Sequence, residues 1–386
     1  MAAEPIVIAG AARTPMGAFQ GALKGRTGVE LGAAAISAAL ARAGLAPEAV
    51  EEVVMGCVLP AGLGQAPARQ AALGAGLPLS VPCATLNKVC GSGMKAAMAA
   101  HDMIRAGSAG IVVAGGMESM SNAPYLLDKA RGGYRIGHGR VLDHMFLDGL
   151  EDAYDRGRAM GTFAEDCAEA YQFTRDAQDA YALASLARAQ AAIAEGRFAA
   201  EVVAVDGVAV DEAPGRARPE KIPQLRPAFR EGGTVTAANS SSISDGAAAL
   251  VIASAGAAEA QGLTPLATIR GHASHAQAPN LFTTAPIFAI GKLLERLGWS
   301  AAEVDLFEIN EAFAVVAMAA MRDLDLPHDK VNVNGGACAL GHPIGCSGAR
   351  IVVTLIEALR ARGLRRGVAS LCIGGGEATA LAVEVI

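Results

Sequence analysis

Residues 90–118 read CGSGMKAAMAAHDMIRAGSAGIVVAGGME, and residues 346–377 read CSGARIVVTLIEALRARGLRRGVASLCIGGGE. Each stretch begins with a cysteine and small residues and continues as a helical run that ends at a glycine, Gly107 or Gly363. An apolar strand, a group of glycines and a glutamate then follow in both. This alternation is typical of α/β proteins, in which helices cover the faces of a sheet. The sequence therefore predicts two copies of one α/β unit.

The same alternation runs along most of the chain and is interrupted once. Between about residues 120 and 243 the sequence has glycine-rich loops, a long helical stretch over 161–195 and a polar run at 214–219. We expect this block to be an insertion, because the alternation of strands and helices resumes after it. The predicted domains are residues 1–120 plus 244–265 as the first half, an inserted loop domain at 121–243, and residues 266–386 as the second half.

Composition excludes several classes of protein. The 386 residues include 32 Lys+Arg and 38 Asp+Glu, giving a net charge of −6, and 52% of them are hydrophobic against 18% charged. Such a chain can bury a large core, so it is not an intrinsically disordered protein. The mild acidity disfavours nucleic acid as a partner. No apolar run reaches the roughly 18 residues that a membrane span needs.

The cysteines indicate a reducing environment. Their number is odd, they are scattered, and most of them lie beside small or apolar residues, which predicts free thiols and a cytoplasmic location. Because no CxxC or zinc-type Cys/His spacing occurs, we expect no metal site. The seven are Cys57, Cys83, Cys90, Cys167, Cys338, Cys346 and Cys372.

Cys90 is the first candidate for chemistry. It lies at the start of a predicted helix, and Gly91 and Gly93 leave the backbone N–H groups of the turn open to a ligand. The positive end of a helix dipole favours a thiolate, so we expect the pKa of this thiol to be lowered. The alternative is that Cys90 is a small buried hydrophobic residue, as most free cysteines are.

Three further polar residues occupy places where ligands bind. His342 lies in a glycine-rich loop and can take the proton of a cysteine, or it is a turn histidine bonded to backbone. Cys372 follows a predicted strand at its carboxyl end, where open α/β sheets bind ligands, unless it only packs there. Asn310 precedes a predicted helix. It either caps this helix or provides a side-chain amide that positions a water or an oxyanion.

Four motifs together carry a resemblance that each alone would not. They are NKVCGSG at 87–93, NEAFA at 310–314, GHPIG at 341–345 and CIGGG at 372–376. In this order and spacing the whole chain resembles the thiolase family, and within it the acetyl-CoA acetyltransferases. The resemblance implies the thiolase fold: two similar βαβαβαββ halves stacked as a five-layer αβαβα core, with a loop domain inserted into the first half.

The resemblance also implies a reaction and its residues. Two acetyl-CoA molecules would condense reversibly to acetoacetyl-CoA and CoA by a ping-pong mechanism, with no metal and no tightly bound cofactor. Cys90 resembles the nucleophile, His342 its base, and Cys372 the acid/base at the α-carbon of the second thioester. Asn310 resembles the residue that holds a water beside the enolate oxygen. The backbone N–H groups of Cys90 and Gly374 resemble a second oxyanion hole.

Coenzyme A is expected to lie against the insertion. Ser241 resembles a pantetheine contact, and the resemblance implies that Met160 and Phe313 also contact CoA. The basic residues Arg216, Arg218 and Lys221 can meet phosphates, or they belong to a solvated loop. The loop 131–137 resembles one through which thiolase dimers join, which predicts a homotetramer.

Some positions depart from the family pattern and leave the acyl-chain length open. Phe282 stands where biosynthetic members commonly have Met, and Glu377 begins a pair that is commonly Met-Gly. A degradative 3-ketoacyl-CoA thiolase of broader chain length is therefore an alternative. A β-ketoacyl synthase would have a second histidine in place of Cys372, and a thioesterase would not need that cysteine. A non-catalytic CoA- or lipid-binding protein on this fold need not keep the nucleophile and base.

Overall fold

The computed structural model describes residues 4–386. The strands in that range are β1 Ile6–Arg13, β2 Gly17–Ala18, β3 Glu52–Gly56, β4 Cys83–Leu86, β5 Ile111–Ser119, β6 Tyr125–Leu126, β7 Leu142–Asp143, β8 Ser244–Ser254, β9 Ala267–Ala276, β10 Leu306–Ile309, β11 Arg366–Ile373 and β12 Glu377–Val385. The α-helices are α1 Gly28–Ala43, α2 Pro67–Gly74, α3 Ser92–Arg105, α4 Met160–Tyr171, α5 Arg175–Ala194, α6 Glu212–Arg216, α7 Ala255–Ala260, α8 Ala285–Leu297, α9 Ala314–Asp323, α10 Ala337–Leu340 and α11 Ser347–Ala361.

The main sheet consists of two halves that share the order of four strands, and the first half has β4 as an additional edge strand. The first half runs β4-β3-β5-β8-β1, and the second runs β10-β11-β12-β9. In each, the strands joined through helices are parallel, whereas β8 in the first half and β12 in the second run antiparallel to both of their neighbours. The halves meet where Val7 and Ile8 of β1 pair antiparallel with β9. Because β11 and β12 occupy in the second half the places of β5 and β8 in the first, the predicted duplication is confirmed.

Alternate residues of the strands point into different cores, which produces the layers. In β5, Val112 and Ala114 pack in the core that contains α3 and α11, whereas Val113 packs in the core beneath α1. In β11, Leu371 faces the central core and Val368 faces α8 and α9. Strands covered on both faces have nearly continuous apolar sequences, as these have. The layers are α1/α2, first sheet, α3/α11, second sheet and α8/α9, as the resemblance implies.

The two central helices cross at a reciprocal pair of glycines. A Cβ on Gly93, the second residue of α3, would lie 2.8 Å from the backbone nitrogen of Ala349. A Cβ on Gly348, the second residue of α11, would lie 2.9 Å from the Cβ of Met94. The helix backbones therefore touch at their N-terminal ends. This contact brings together the loops that precede them, which carry Cys90 and His342.

The insertion contains the β6–β7 ribbon, a π-helical turn at Phe146–Leu150 and helices α4 to α6. The long helical stretch predicted over 161–195 consists of two helices. Helix α4 ends at Tyr171, where Gln172 adopts a left-handed φ of 55°, and α5 starts after Thr174, whose side chain accepts from the N–H of Ala177 at 3.1 Å. A threonine N-cap thus divides the stretch. The domain bounds themselves stay a prediction. Among the helices within 4–386, none is long and apolar enough to cross a membrane.

Candidate active site

A cavity of about 420 Å³ lies where the two halves and the insertion meet. Six of the predicted site residues line it, namely Cys90, Met160, Ser241, Phe313, His342 and Gly374. Its other walls are Met145, Phe146, Gly149, Leu150, Ala159, Gly161, Ala228, Phe229, Ala237, Ser240, Ser242, Ile243, Phe282, Ala312 and Ile344. Asn310 and Cys372 are buried and lie outside this lining set.

Cys90 enters the cavity from a strained turn. Val89 has a φ of 46°, which is an outlier for a β-branched residue and costs energy. Hydrogen bonds hold the turn: the Oδ1 of Asn87 accepts from the N–H of Val89 at 2.9 Å, and the Oγ of Ser92 accepts from the N–H of Lys88 at 2.8 Å. The Ser92 hydroxyl in turn donates to the carbonyl of Val89 at 2.7 Å. The turn therefore fixes the sulfur in one position.

Burial determines the protonation of Cys90. It raises the pKa of the thiol to about 11, although hydrogen bonds from the backbone N–H groups of Gly374 and of Cys90 itself favour the thiolate; the charge of Glu118 raises the pKa further. The expectation of a lowered pKa is therefore wrong, because removal from water outweighs the N–H groups at the start of α3. Cys90 is therefore a neutral thiol at pH 7, and the N–H groups of Gly374 and Cys90 lie beside its sulfur.

The hydrogen bonds of His342 define its tautomer. Its Nδ1 lies 2.5 Å from the Oγ of Ser347, and the Ser347 hydroxyl donates its hydrogen to the carbonyl of Pro343 at 3.0 Å. The serine oxygen must then accept from Nδ1–H, which leaves the lone pair on Nε2. That atom has no hydrogen-bond partner among residues 4–386. Burial, with the charge of Arg350, lowers the pKa of His342 to about 3, so the ring is a neutral proton acceptor.

Asn310 and Cys372 supply two further polar groups behind the cavity wall. The backbone N–H of Asn310 donates to the carbonyl of Ser370 at 2.9 Å, but neither amide atom of its side chain has a partner in the described part of the chain. Buried amides are normally bonded to protein or to water, so this one is suited to hold a water or ligand. Burial, followed by the charge of a Cys90 thiolate, raises the pKa of Cys372. The two sulfurs are thus close enough to influence one another.

Glu118 anchors the loop that carries His342, a role that the sequence did not reveal. Its buried carboxylate accepts from the N–H groups of Val58, Leu59 and Gly345 at 3.0, 3.1 and 2.9 Å. Burial raises the pKa of this carboxyl to about 7. Glu118 ends the first copy of the duplicated stretch, and Ser347 lies in the repeated Ser-Gly pair of the second. The repeat was the only signal that could have found them.

Aromatic side chains form the apolar wall. Phe313 makes edge contacts with Phe229 and with Phe282, with ring centroids 5.9 and 6.4 Å apart. The ring of Phe229 lies against Gly161, where any side chain would overlap it. The backbone N–H of Ser241 donates to the carbonyl of Ala312, the chain neighbour of Phe313, at 2.9 Å. The sequence had not singled out Phe229, because an aromatic residue in an inserted loop carries no distinctive pattern.

A basic cleft of about 330 Å³ adjoins the cavity and shares Ala237 and Ser242 with it. Arg216, Arg218 and Lys221 all line the cleft. Arg216 is ion-paired with Glu212, whereas Arg218 and Lys221 make no ion pair within the described range 4–386. Two uncompensated cations therefore stand beside a groove that leads to Cys90.

The fold and the site together define an acyltransferase built from two similar α/β halves. Residues 6–256 match the family model for the thiolase N-terminal domain, and residues 263–385 match the model for the thiolase C-terminal domain. The chain therefore belongs to the thiolase family.

Two acetyl-CoA acetyltransferases and a thiolase from other organisms are similar to this chain over almost its full length. Acetyl-CoA acetyltransferase 2 of Arabidopsis thaliana is 52% identical, with 99% of this chain and 97% of that protein covered. Among solved structures, the Acat5 thiolase from Ascaris suum in complex with coenzyme A has a TM-score of 0.95 at 43% identity, over 99% of this chain and 100% of that one. The acetyl-CoA acetyltransferase of Bacillus anthracis has a TM-score of 0.96 at 43% identity, over 99% of both chains.

Proposed function

We propose that this chain is an acetyl-CoA C-acetyltransferase, which condenses two acetyl-CoA to acetoacetyl-CoA and CoA and catalyses the reverse thiolysis. One observation carries the proposal: a thiol and a neutral imidazole with a free Nε2 line one cavity, and a second thiol lies behind the first. The names of the full-length relatives support the same activity. The CoA bound to the Ascaris suum enzyme supports a CoA thioester as substrate.

In the first half-reaction Cys90 takes the acetyl group. The Nε2 of His342 accepts the thiol proton as the sulfur attacks the thioester carbonyl. The N–H groups of Cys90 and Gly374, which lie beside the sulfur, stabilise the negative oxygen that develops on the attacked carbonyl. CoA leaves as its thiol with the proton from His342, and acetyl-Cys90 remains.

In the second half-reaction a carbon–carbon bond forms. The thiolate of Cys372 removes a proton from the methyl group of a second acetyl-CoA, and the enolate oxygen is held by a water on the Asn310 amide. The raised pKa of Cys372 makes its thiolate a strong base. The carbanion attacks acetyl-Cys90 and releases acetoacetyl-CoA, and the sulfur of Cys90 leaves as the thiolate. The proton on Cys372 then passes to Cys90, which restores the Cys90 thiol and the Cys372 thiolate. Thiolysis follows the same steps in reverse.

The groove beside the cavity is suited to the rest of the CoA molecule. Pantetheine would lie along Ser241, Met160 and Phe313, and the phosphates would meet Arg218 and Lys221, where charge-assisted bonds are strong. Arg216 would contribute less, because Glu212 already neutralises it. We propose no tightly bound cofactor, since every step uses side chains of this chain and its substrates.

Thiolysis of 3-ketoacyl-CoAs of increasing length with free CoA tests this function. We expect the four-carbon substrate to be cleaved fastest, because the aromatic wall closes a cavity of only about 420 Å³. Equal rates for long chains would favour the degradative alternative. No cleavage of any length, with no acetyl group on the protein after incubation with acetyl-CoA, would refute the proposal and favour a CoA-binding protein without activity.

We also propose that the chain forms a homotetramer, a dimer of dimers, in the cytoplasm. The arm between β6 and β7 exposes Leu127, Ile136 and Val141 to solvent, and such apolar groups favour burial in a partner. Seven free thiols suit a reducing compartment. Light scattering on Ile136→Asp/Val141→Asp should show dimers with unchanged turnover; tetramers in this variant would show that the arm does not join the dimers.

A further inference from the structure

A second cluster of chemically active side chains lies away from the catalytic cavity. His101 and Asp102 are in the C-terminal part of α3, and His272 is in the middle of β9. His101 and Asp102 lie nine and ten residues after the first residue of α3, which is roughly 14 Å along the helix at 1.5 Å per residue. None of the three residues lines the cavity around Cys90. The cluster also joins the two halves, since α3 belongs to the first and β9 to the second.

Three potential ligand atoms converge in this cluster. The Oδ1 of Asp102 is 3.0 Å from the Nδ1 of His101 and 2.8 Å from the Nε2 of His272, and all three atoms lie within 4.8 Å of one another. The two imidazoles meet edge to face, with centroids 5.0 Å apart and planes at 88°. Both rings therefore direct one nitrogen at the same point.

The surroundings hold the rings and leave the carboxylate open. The side chains of His101 and His272 are only 12% and 16% exposed, whereas that of Asp102 is 57% exposed. The nearby cations are engaged with backbone: Arg296 donates to the carbonyl of His272 at 3.2 Å, and Arg105 donates to the carbonyl of Glu4 at 2.6 Å. An ion can thus approach from solvent through the carboxylate.

From this juxtaposition we propose that His101, Asp102 and His272 form a binding site for a divalent transition-metal ion, Zn²⁺ in the first place. Two imidazole nitrogens and one carboxylate oxygen are a ligand set that zinc accepts, with a water in the fourth position. The present N···O separations are close to the roughly 3.3 Å between neighbouring ligands of a tetrahedral ion with bonds of about 2.0–2.1 Å. A small opening of the cluster is sufficient.

Binding of the metal ion requires only a change of tautomer in the two imidazole rings and no further reactant. Each ring now donates one N–H to Asp102; in the metal complex the lone pair is on that nitrogen, and the hydrogen is on the other nitrogen of the ring. The sequence had predicted no metal site, because spacing rules detect only ligands that are close in the chain and His272 lies far from His101.

A bound ion would tie α3 to β9 and so cross-link the two halves. Because an ion that binds only the folded state stabilises it, the melting temperature should rise with the concentration of free Zn²⁺. The turnover of His272→Gln without added metal should equal that of the wild type, since the cluster is remote from Cys90. This separates the metal site from the proposed function: either can fail without the other.

Calorimetric titration of the chelator-treated enzyme with Zn²⁺, after alkylation of Cys90 to remove the catalytic thiol as a ligand, tests the proposal. We expect one ion per chain in the wild type and in the control His138→Gln, an exposed histidine of the insertion. His272→Gln should bind roughly a hundred-fold more weakly, because even the loss of a supporting group costs 10- to 100-fold at metal sites. Asp102→Asn keeps an acceptor oxygen for both rings and should also lose the ion.

Two results would overturn the proposal. One is an unchanged affinity in both His272→Gln and Asp102→Asn, which would place the ion elsewhere. The other is no saturable binding up to millimolar Zn²⁺, which would leave the cluster as a hydrogen-bonded contact between the halves. Circular dichroism of each variant without metal establishes that a loss of binding is not a loss of fold.

Discussion

At the scale of single residues, the site depends on which nitrogen of His342 carries its proton. Ser347 fixes this, since its own hydrogen is committed to the carbonyl of Pro343 and its oxygen can only accept. Burial keeps the ring neutral, and Nε2 is left as the one basic atom directed to the cavity. Hydrogen bonding and burial together therefore make the Nε2 of His342 a proton acceptor.

Replacing Ser347 should weaken the base without removing it. In Ser347→Ala the Nδ1–H loses its acceptor, so the rate of acylation should fall about tenfold, which corresponds to a hydrogen bond of ~1 kcal/mol or slightly more. Quenched-flow measurement of acetyl-enzyme formation reports this rate, and KM should change little. Ser254→Ala, a serine remote from the site at the start of α7, is the control. An unaltered rate in Ser347→Ala would mean that Ser347 does not set the tautomer.

The reactivity of Cys90 should increase with pH well beyond the range of an ordinary thiol. Burial raises its pKa to about 11, so in the free enzyme the thiolate fraction, and with it alkylation by iodoacetamide, should grow roughly tenfold per pH unit from pH 7 to pH 9. Mass spectrometry of the modified peptide follows the reaction. A plateau below pH 8 would instead indicate a thiolate–imidazolium pair in the resting enzyme.

At the scale of secondary-structure elements, the crossing of α3 and α11 sets the geometry of the site. The Cys90 turn precedes α3 and the His342 loop precedes α11, so any separation of these helices moves the nucleophile away from its base. Gly93 and Gly348 permit the close approach because neither carries a side chain. The contact thus couples packing in the core to catalysis.

Gly348→Ala should therefore destabilise the protein and impair acylation. The added methyl group would overlap Met94, and overpacking of this kind costs about 1–3 kcal/mol. Gly291→Ala is the matched control, because this glycine also lies in a helix but has open space around it; it should gain up to ~1 kcal/mol from helix propensity. Urea unfolding measures both. Equal stability of the two variants would contradict the close crossing.

At the scale of the whole molecule, the two halves share a core and should unfold together. The central core combines Val112 and Leu250 of the first half with Leu371 and Leu381 of the second. Neither sheet can keep its inner face buried alone. We expect one calorimetric transition in which both sheets melt, and equal protection of the amides of β5 and β11 against hydrogen exchange. Separate transitions for the two sheets would show that the halves are independent.

The repeat and the layers could be predicted because both depend on local patterns in the sequence. Apolar runs, glycines after helices and the cysteine-led motifs indicated the two copies, and the resemblance supplied their stacking. Contacts between residues that are far apart in the chain could not be predicted in the same way. Ser347, Glu118 and Phe229 act through contacts that no spacing reveals, and the pKa of Cys90 depends on burial that outweighs a helix end. The break at Thr174 was missed because one polar cap interrupts an otherwise continuous helical composition.

The most direct measurement is the intact mass of the protein after incubation with acetyl-CoA alone, in the wild type, Cys90→Ala and Cys372→Ala. We expect one acetyl group on the wild type and on Cys372→Ala, and none on Cys90→Ala. Only the wild type should form acetoacetyl-CoA. An acetyl group retained by Cys90→Ala, or equal loss of acetylation in both variants, would contradict the division of labour between the two cysteines.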